Sequence, residues 1–324
     1  MSFFKRRAGQ ARLFCAPIKA MTVLRRLVIS ITLGFLLAST LWATPPRMLL
    51  LDAAQADQDI IAVGERGTIL RSSDNGQKWD AIASPTLATL TAVTFARDGQ
   101  HGWAVGHDAS VLATADGGLS WTVAHQGPNL EVAYLDVCAA DEDTIIVIGA
   151  YGQSLRSLDA GKSWQSLMVQ DSDSHLNCIS QGDNGTLYIA GERGTLLRSK
   201  DRGETWDNIA SPYDGSFYGI LPLADAKLLA YGLRGHIYRS LDDGGNWTSV
   251  PIATHPLLAA ACVLSPGNIV LAGQARAFLI SRDGGSTFTP WAQTQTTGVA
   301  QLMVTTDGRL LAFGESGVTL LREP

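Results

Sequence analysis

The sequence predicts an all-β chain folded as a seven-bladed β-propeller of four-stranded antiparallel blades. Three observations predict it. An octet ending in an aromatic residue occurs six times, from SSDNGQKW at 72–79 to SRDGGSTF at 281–288. Its closing aromatics, Trp79, Trp121, Trp164, Trp206, Trp247 and Phe288, stand 41 to 43 residues apart. Between octets, short runs of branched and apolar residues alternate with turns that draw on 33 glycines. No segment sustains the 3.6-residue period of a helix. A steady period of about 42 residues holding four short strands is the mark of a propeller, in which each blade buries its faces only against its neighbours.

The second repeat shows how one blade is built. LTAVTFA (90–96) reads as a strand, RDGQ as a turn, and HGWAVGH (101–107) as a second strand. A tight turn at Asp108 leads into SVLAT (110–114), and the octet turn leads into SWTVAH (120–125). First strands recur at 48–54, 90–96, 133–139, 174–180, 216–222, 257–263 and 299–305, which makes seven blades. The last repeat runs through RLLAFGESG and VTLLRE with no octet after it. Two closures stay open: residues 44–47 pair with that blade, or it keeps three strands.

The octet itself has a chemical logic. Its glycine supplies a positive φ without steric cost. The aspartate two residues earlier can accept backbone N–H bonds across the turn, and the opening Ser or Thr adds a hydroxyl. Asp74, Asp116, Asp159, Asp201, Asp242 and Asp283 are therefore expected to staple turns, and the six aromatics to open the fourth strands and wedge against the neighbouring blade. Carboxylates at equivalent places on separate blades cannot converge on one substrate.

Charge is distributed unevenly. Residues 1–43 carry Lys5, Arg6, Arg7, Arg12, Lys19, Arg25 and Arg26 and no acid. Eighteen basic against thirty acidic residues remain, so the body is near −12, which argues against nucleic acid as a partner. From Met21 the chain reads as a basic stretch, an apolar run over 27–37 and a small-residue cleavage site after Ala43, the pattern of an export signal. Residues 1–20 then form an upstream extension, with Met21 as the alternative start, and 44–324 form the propeller. Left uncleaved, residues 27–43 are of borderline length for a membrane anchor. Cys138, Cys178 and Cys262 sit singly in first strands, and no CxxC or Cys/His spacing suggests a metal or a disulfide framework. They read as small buried hydrophobes.

The form S/T-x-D-x-G-x-x-W/F resembles the Asp-box, or BNR repeat, of sialidases and related propellers. A second motif narrows the resemblance. GERGTILRSSD (64–74), GAYGQSLRSLD (149–159), GERGTLLRSKD (191–201) and GLRGHIYRSLD (232–242) share a G-x-x-G turn, a strand and an octet start. Over residues 48–322 this rhythm resembles the photosystem II stability/assembly factor family. The resemblance implies an exported seven-bladed propeller, in the periplasm or a thylakoid lumen, that docks a membrane protein or its exported loops and is not an enzyme. It further implies arginines clustered on one face. The matching turn positions are Arg66, Arg193 and Arg234, with His107 and Arg276 as candidates in blades two and six. A monomer, with no cofactor and no small-molecule substrate, is the expectation.

Those turns join second to third strands and should lie on the face that also carries the connections between blades, opposite the octets. Arginine forks match carboxylates in planar geometry. Glu65 and Glu192 beside them could instead neutralise solvated turns. A second set, Arg71, Arg156, Arg198, Arg239 and Arg322, is read as structural, in third strands. The enzyme alternative is a carbohydrate-active Asp-box hydrolase. It lacks the Arg-Ile-Pro segment of sialidases, and Tyr134, Tyr151, Tyr213 and Tyr218 sit in no recognisable site motif. Asp108, Asp136 and Asp214 are its candidate carboxylates.

Overall fold

The computed structural model describes residues 48–295 and 297–322. The export signal therefore lies outside the described residues, and no helix among those described is long and apolar enough to cross a membrane. Seven antiparallel sheets follow one another along the chain, six with four strands and the last with three. Among the described residues, helix is confined to the short 3-10 turns Glu65–Gly67, Ala150–Gly152 and Leu233–Gly235.

First strands pack on first strands around the ring. Leu50–Ala56 meets Leu90–Phe95, and so on through Tyr134–Ala139, Leu176–Gln181, Phe217–Leu223 and Leu258–Ser265 to Val299–Val304, which returns to Leu50–Ala56. Second strands such as Ile145–Gly149 and Leu187–Gly191 are buried at every residue. A strand covered on both faces by neighbouring blades reads as a continuous apolar run rather than an alternating one.

The core is divided among the gaps between blades. The cluster of Leu50, Ile60 and Leu70 with Leu311 and Phe313 joins blade one to blade seven, and equivalent clusters fill the other six gaps. Octet aromatics are packed against six of these clusters: Trp79, Trp121, Trp164, Trp206, Trp247 and Phe288 each meet side chains of the preceding blade. Trp79 stands edge-on to Phe313 at 5.9 Å. Of the six, only Trp247 lies within its fourth strand, Trp247–Ser249; in the other blades the strand starts one residue later. Three of the indoles fold back over their own octets, with Trp79, Trp121 and Trp164 donating Nε1–H to the carbonyls of Gly76, Gly118 and Gly161 at 3.0–3.1 Å.

Octet turns show the hydrogen bonds their composition suggests. In blade four, Ser199 Oγ donates to Asp201 Oδ1 at 2.8 Å and accepts from Gly203 N at 2.8 Å. Asp201 Oδ1 also accepts from Thr205 N at 2.9 Å, and Oδ2 from Thr205 Oγ1 at 2.5 Å. Gly203 adopts φ +76, and a Cβ there would lie 2.2 Å from Ile146 Cδ1 of blade three. The positive φ calls for glycine, and the side chain of the preceding blade packs closely over it.

The two ends of the propeller differ in their backbone bonds. Octet turns are tied to first-to-second-strand turns, as in Ala160 N to Asp143 O at 2.9 Å and Asp243 N to Ala226 O at 2.8 Å. Second-to-third-strand turns are tied to the connections between blades, as in Gly194 N to Gly215 O at 2.7 Å.

Candidate docking face

On the face of the interblade connections, Arg66, Arg193 and Arg234 occupy one structural position. Each has a left-handed backbone, φ 55, 52 and 57, and is followed by a glycine that is also left-handed. Single residues hold this conformation at a cost of about 1–2 kcal/mol, and it turns these side chains outward; all three are exposed. Arg193 Nη1 bonds Asp173 Oδ1 at 2.8 Å, with both side chains about two-thirds exposed. Arg66 and Arg234 make no ion pair among the described residues.

The neighbouring glutamates do something other than neutralise them. Glu65 Oε1 accepts from Leu49 N at 3.1 Å, Glu192 Oε2 from His175 N at 3.3 Å and Glu315 Oε2 from Gly298 N at 3.2 Å. Each carboxylate caps the residue before a first strand and so fixes where a connection enters its blade.

Backbone register places the two weaker candidates. Glu65, His107 and Gln274 all donate their N–H to the residue before their first strand, Leu49, Thr89 and Leu257. His107 is thus the counterpart of Glu65, and the arginine position of blade two is held by Asp108. In blade six Ala275 holds it, while Arg276 stands at the glycine position with φ 63. His107 and Arg276 are exposed on the same face but outside the arginine position. Tyr151 holds it in blade three, 66% exposed and edge-on to His175 at 4.6 Å. In the connection before blade five, Tyr213 stacks on His236 at 4.3 Å. The face therefore presents exposed arginines and aromatic rings among acidic side chains.

The third-strand arginines point elsewhere. Arg71 pairs with Asp59 within its blade. Arg198 reaches blade five, bonding Asp243 Oδ2 at 2.9 Å, and Arg239 reaches blade six, bonding Gly284 O at 2.9 Å. Arg156 is half-buried, with its Nε enclosed and without a partner. Arg322 does not belong with them: it lies beyond the last strand, Gly317–Leu320, exposed to solvent.

The three carboxylates considered for hydrolysis are dispersed. Asp108 is exposed in its turn, Asp214 is exposed in the connection before blade five, and Asp136 lies in the first strand of blade three. There Asp136 Oδ2 accepts from Ile179 N of blade four at 2.8 Å. Its counterpart in blade one, Asp52, accepts from Val93 N of blade two at 2.8 Å and from Gln301 Nε2 of blade seven at 2.6 Å. Burial pushes Asp52 up to about 6 and Asp136 up to about 7, the Asp52 charge adding to the second. Sequence reasoning passed over Asp52, although the Leu-Asp pairs at 51–52 and 135–136 hold the same place in their strands. Burial likewise raises the thiols of Cys138 and Cys262 to about 12, so both stay protonated at neutral pH. No group of three or more His, Cys, Asp or Glu able to hold a metal ion occurs among the described residues.

Fold and face together define a class: a seven-bladed Asp-box propeller with exposed arginines and aromatic rings at its connection end, and with octet and first-strand carboxylates holding turns and blades together. The family model described as photosynthesis system II assembly factor YCF48 matches residues 77–170 and 125–256, more than half of the chain. The chain belongs to that family. It is 26% identical over 260 residues to the photosystem II assembly protein Ycf48 of Thermosynechococcus vestitus, covering 65% of this chain and 74% of that protein. It is 36% identical over 66 residues to the uncharacterised protein YkuO of Bacillus subtilis, a stretch that is 20% of this chain and only 21% of YkuO. Among solved structures, YCF48 bound to D1 peptide superposes with a TM-score of 0.71 at 23% identity, covering 86% of this chain and 93% of that one.

Proposed function

We propose that the chain is an exported, non-enzymatic assembly factor whose connection face docks an acidic, extended segment of a membrane protein. The observation that carries this is the set of three left-handed turns that present Arg66, Arg193 and Arg234 to solvent on one face, two of them without an ion pair among the described residues. The family supports the reading, as does the structure of YCF48 bound to D1 peptide, which shares the fold. Export rests on the signal pattern over 21–43, and the protein acts as a monomer. Dispersal of Asp108, Asp136 and Asp214 leaves the hydrolase reading without an acid–base pair.

The triple change Arg66→Glu, Arg193→Glu and Arg234→Glu tests the face. Exposed turn substitutions of this kind shift stability by about 0.5 kcal/mol or less each, and the exposed Arg193–Asp173 pair adds little. Circular dichroism should therefore show an intact fold. Capture of partners from detergent-solubilised membranes should collapse, because reversed charge repels an acidic segment and slows encounter. Wild-type capture should weaken with added salt. Reversal of Arg71, Arg156 and Arg198 is the control, and it should damage the fold. Undiminished capture by the folded triple variant would refute the arginine face. N-terminal sequencing of the exported protein should find Thr44 first.

A further inference from the structure

Six blades are finished alike: a fourth strand lies beside the third, and an octet aromatic is wedged into the gap with the preceding blade. Among the described residues, blade seven has neither. Its third strand, Gly317–Leu320, has no strand on its outer side. At the equivalent of Val318, other blades bond their fourth strand, Leu167 N to Ser154 O, Ile209 N to Leu196 O and Val250 N to Ile237 O at 2.8–2.9 Å. The cluster between blades six and seven lacks an octet aromatic, and its rings, Phe278 and Trp291, both come from blade six. Beside the open strand lies a cleft of about 520 Å³, lined by Leu264, Val304, Leu310 and Leu320 together with Arg322.

Along this edge Val318 is buried, Thr319 Oγ1 donates to Gln295 Oε1 at 3.3 Å and Arg322 N to Gln293 Oε1 at 3.0 Å, but no lysine or proline guards Val318–Leu320. Where blades one, three, four and five carry an arginine, blade seven carries Leu320, 55% exposed. Unpaired edges in native proteins are ordinarily protected by lysine, proline or a bulge. Arg322, exposed next to the cleft, makes no ion pair among the described residues.

We propose that this edge is a second docking site, taking one extended segment of a partner polypeptide as the fourth strand of blade seven. The segment hydrogen-bonds along Val318–Leu320, sets an aromatic side chain into the cleft as the octets do elsewhere, and places an acidic residue by Arg322. Strand addition draws affinity from main-chain bonds and specificity from the side-chain pocket. The site is separate from the turn arginines and does not depend on them.

The test uses the purified exported chain and a fluorescent decapeptide, GETWDNIASP, which copies residues 203–212 of blade four, together with its Trp206→Ala version. The tryptophan peptide should bind, and the alanine version should bind about tenfold more weakly, as expected when a buried aromatic anchor is removed. Leu320→Lys charges the edge and Val304→Trp fills the cleft from within. Both variants should lose binding about tenfold while keeping the wild-type circular dichroism spectrum. The triple turn-arginine variant should bind the peptide as the wild type does. Equal binding of the two peptides, or binding untouched by both variants, would overturn the proposal. So would self-association that Leu320→Lys abolishes, which assigns the edge to a second copy. Peptide binding that the exported chain shows and the full 324-residue chain lacks would assign the edge to the chain's own leader, again against a partner.

Discussion

Asp201 and Trp206 stand five residues apart in one octet and stabilise the fold by different physics. Asp201 holds its turn, and hydrogen bonds from Thr205 and Ser199 lower its carboxyl to about 2. Asp201→Ala should cost about 1–2 kcal/mol through the lost bonds. Because the folded value is depressed, that contribution is complete above the ordinary carboxylate range and disappears as pH falls towards 2. Trp206 is half-buried against Ile146 and Ile148 of blade three, and Trp206→Ala should cost about 3 kcal/mol by opening a cavity between blades. Urea denaturation of the two variants separates the effects, and equal, negligible losses would refute this division of labour. Both residues were legible from periodicity. The Ser, Thr or Asn just before the aromatic, as in Thr205 and Ser163, was not singled out, although its side chain supplies the strongest bond to the carboxylate.

Among elements, the first strands of several blades carry polar bonds that hold the ring. Asp52 and Asp136 accept N–H groups from the adjacent blade, and their folded values, about 6 and about 7, lie above those of an unfolded chain. A raised acid favours folding in its protonated form. The stabilisation is therefore full below about pH 4, the unfolded carboxylate range, and is lost as pH rises through the folded values. Denaturant midpoints should fall from pH 5 to pH 8. Asp136→Asn keeps an acceptor for Ile179 N and removes the proton, so it should flatten that slope without lowering stability at pH 8. An unchanged slope in the variant would rule Asp136 out as its source.

For the whole molecule, the described residues close the ring through non-covalent contacts between blades seven and one. Besides the apolar cluster around Phe313, the seam has Gln301 on Asp52, Thr306 on Asn75, and Arg309 Nη2 reaching Asn75 O at 3.2 Å. Arg309 also bonds Asp307, which keeps its fork in place. Arg309→Ala should cost about 1 kcal/mol or slightly more. Its clearer signature is regional: hydrogen exchange should accelerate in Leu50–Ala56 and Val299–Val304 before the blades opposite. Uniform acceleration would mean that the seam is no weaker than the other gaps.

The sequence alone determined the class of fold, the number of blades and the octet chemistry, because each depends on local spacing: period two within strands, a glycine where φ turns positive, an aromatic every 41 to 43 residues. It also marked Arg66, Arg193 and Arg234, because a short motif fixes their turn. Tertiary structure decided what depends on registry between blades. It put His107 opposite Glu65 rather than Arg66, aimed Glu65 and Glu192 at backbone N–H groups, and buried Asp52 and Asp136 against strands about forty residues away. It also left Val318–Leu320 without a fourth strand beside it among the described residues. These features arise from contacts between repeats, and no period within one repeat records which residue of the next blade it will meet.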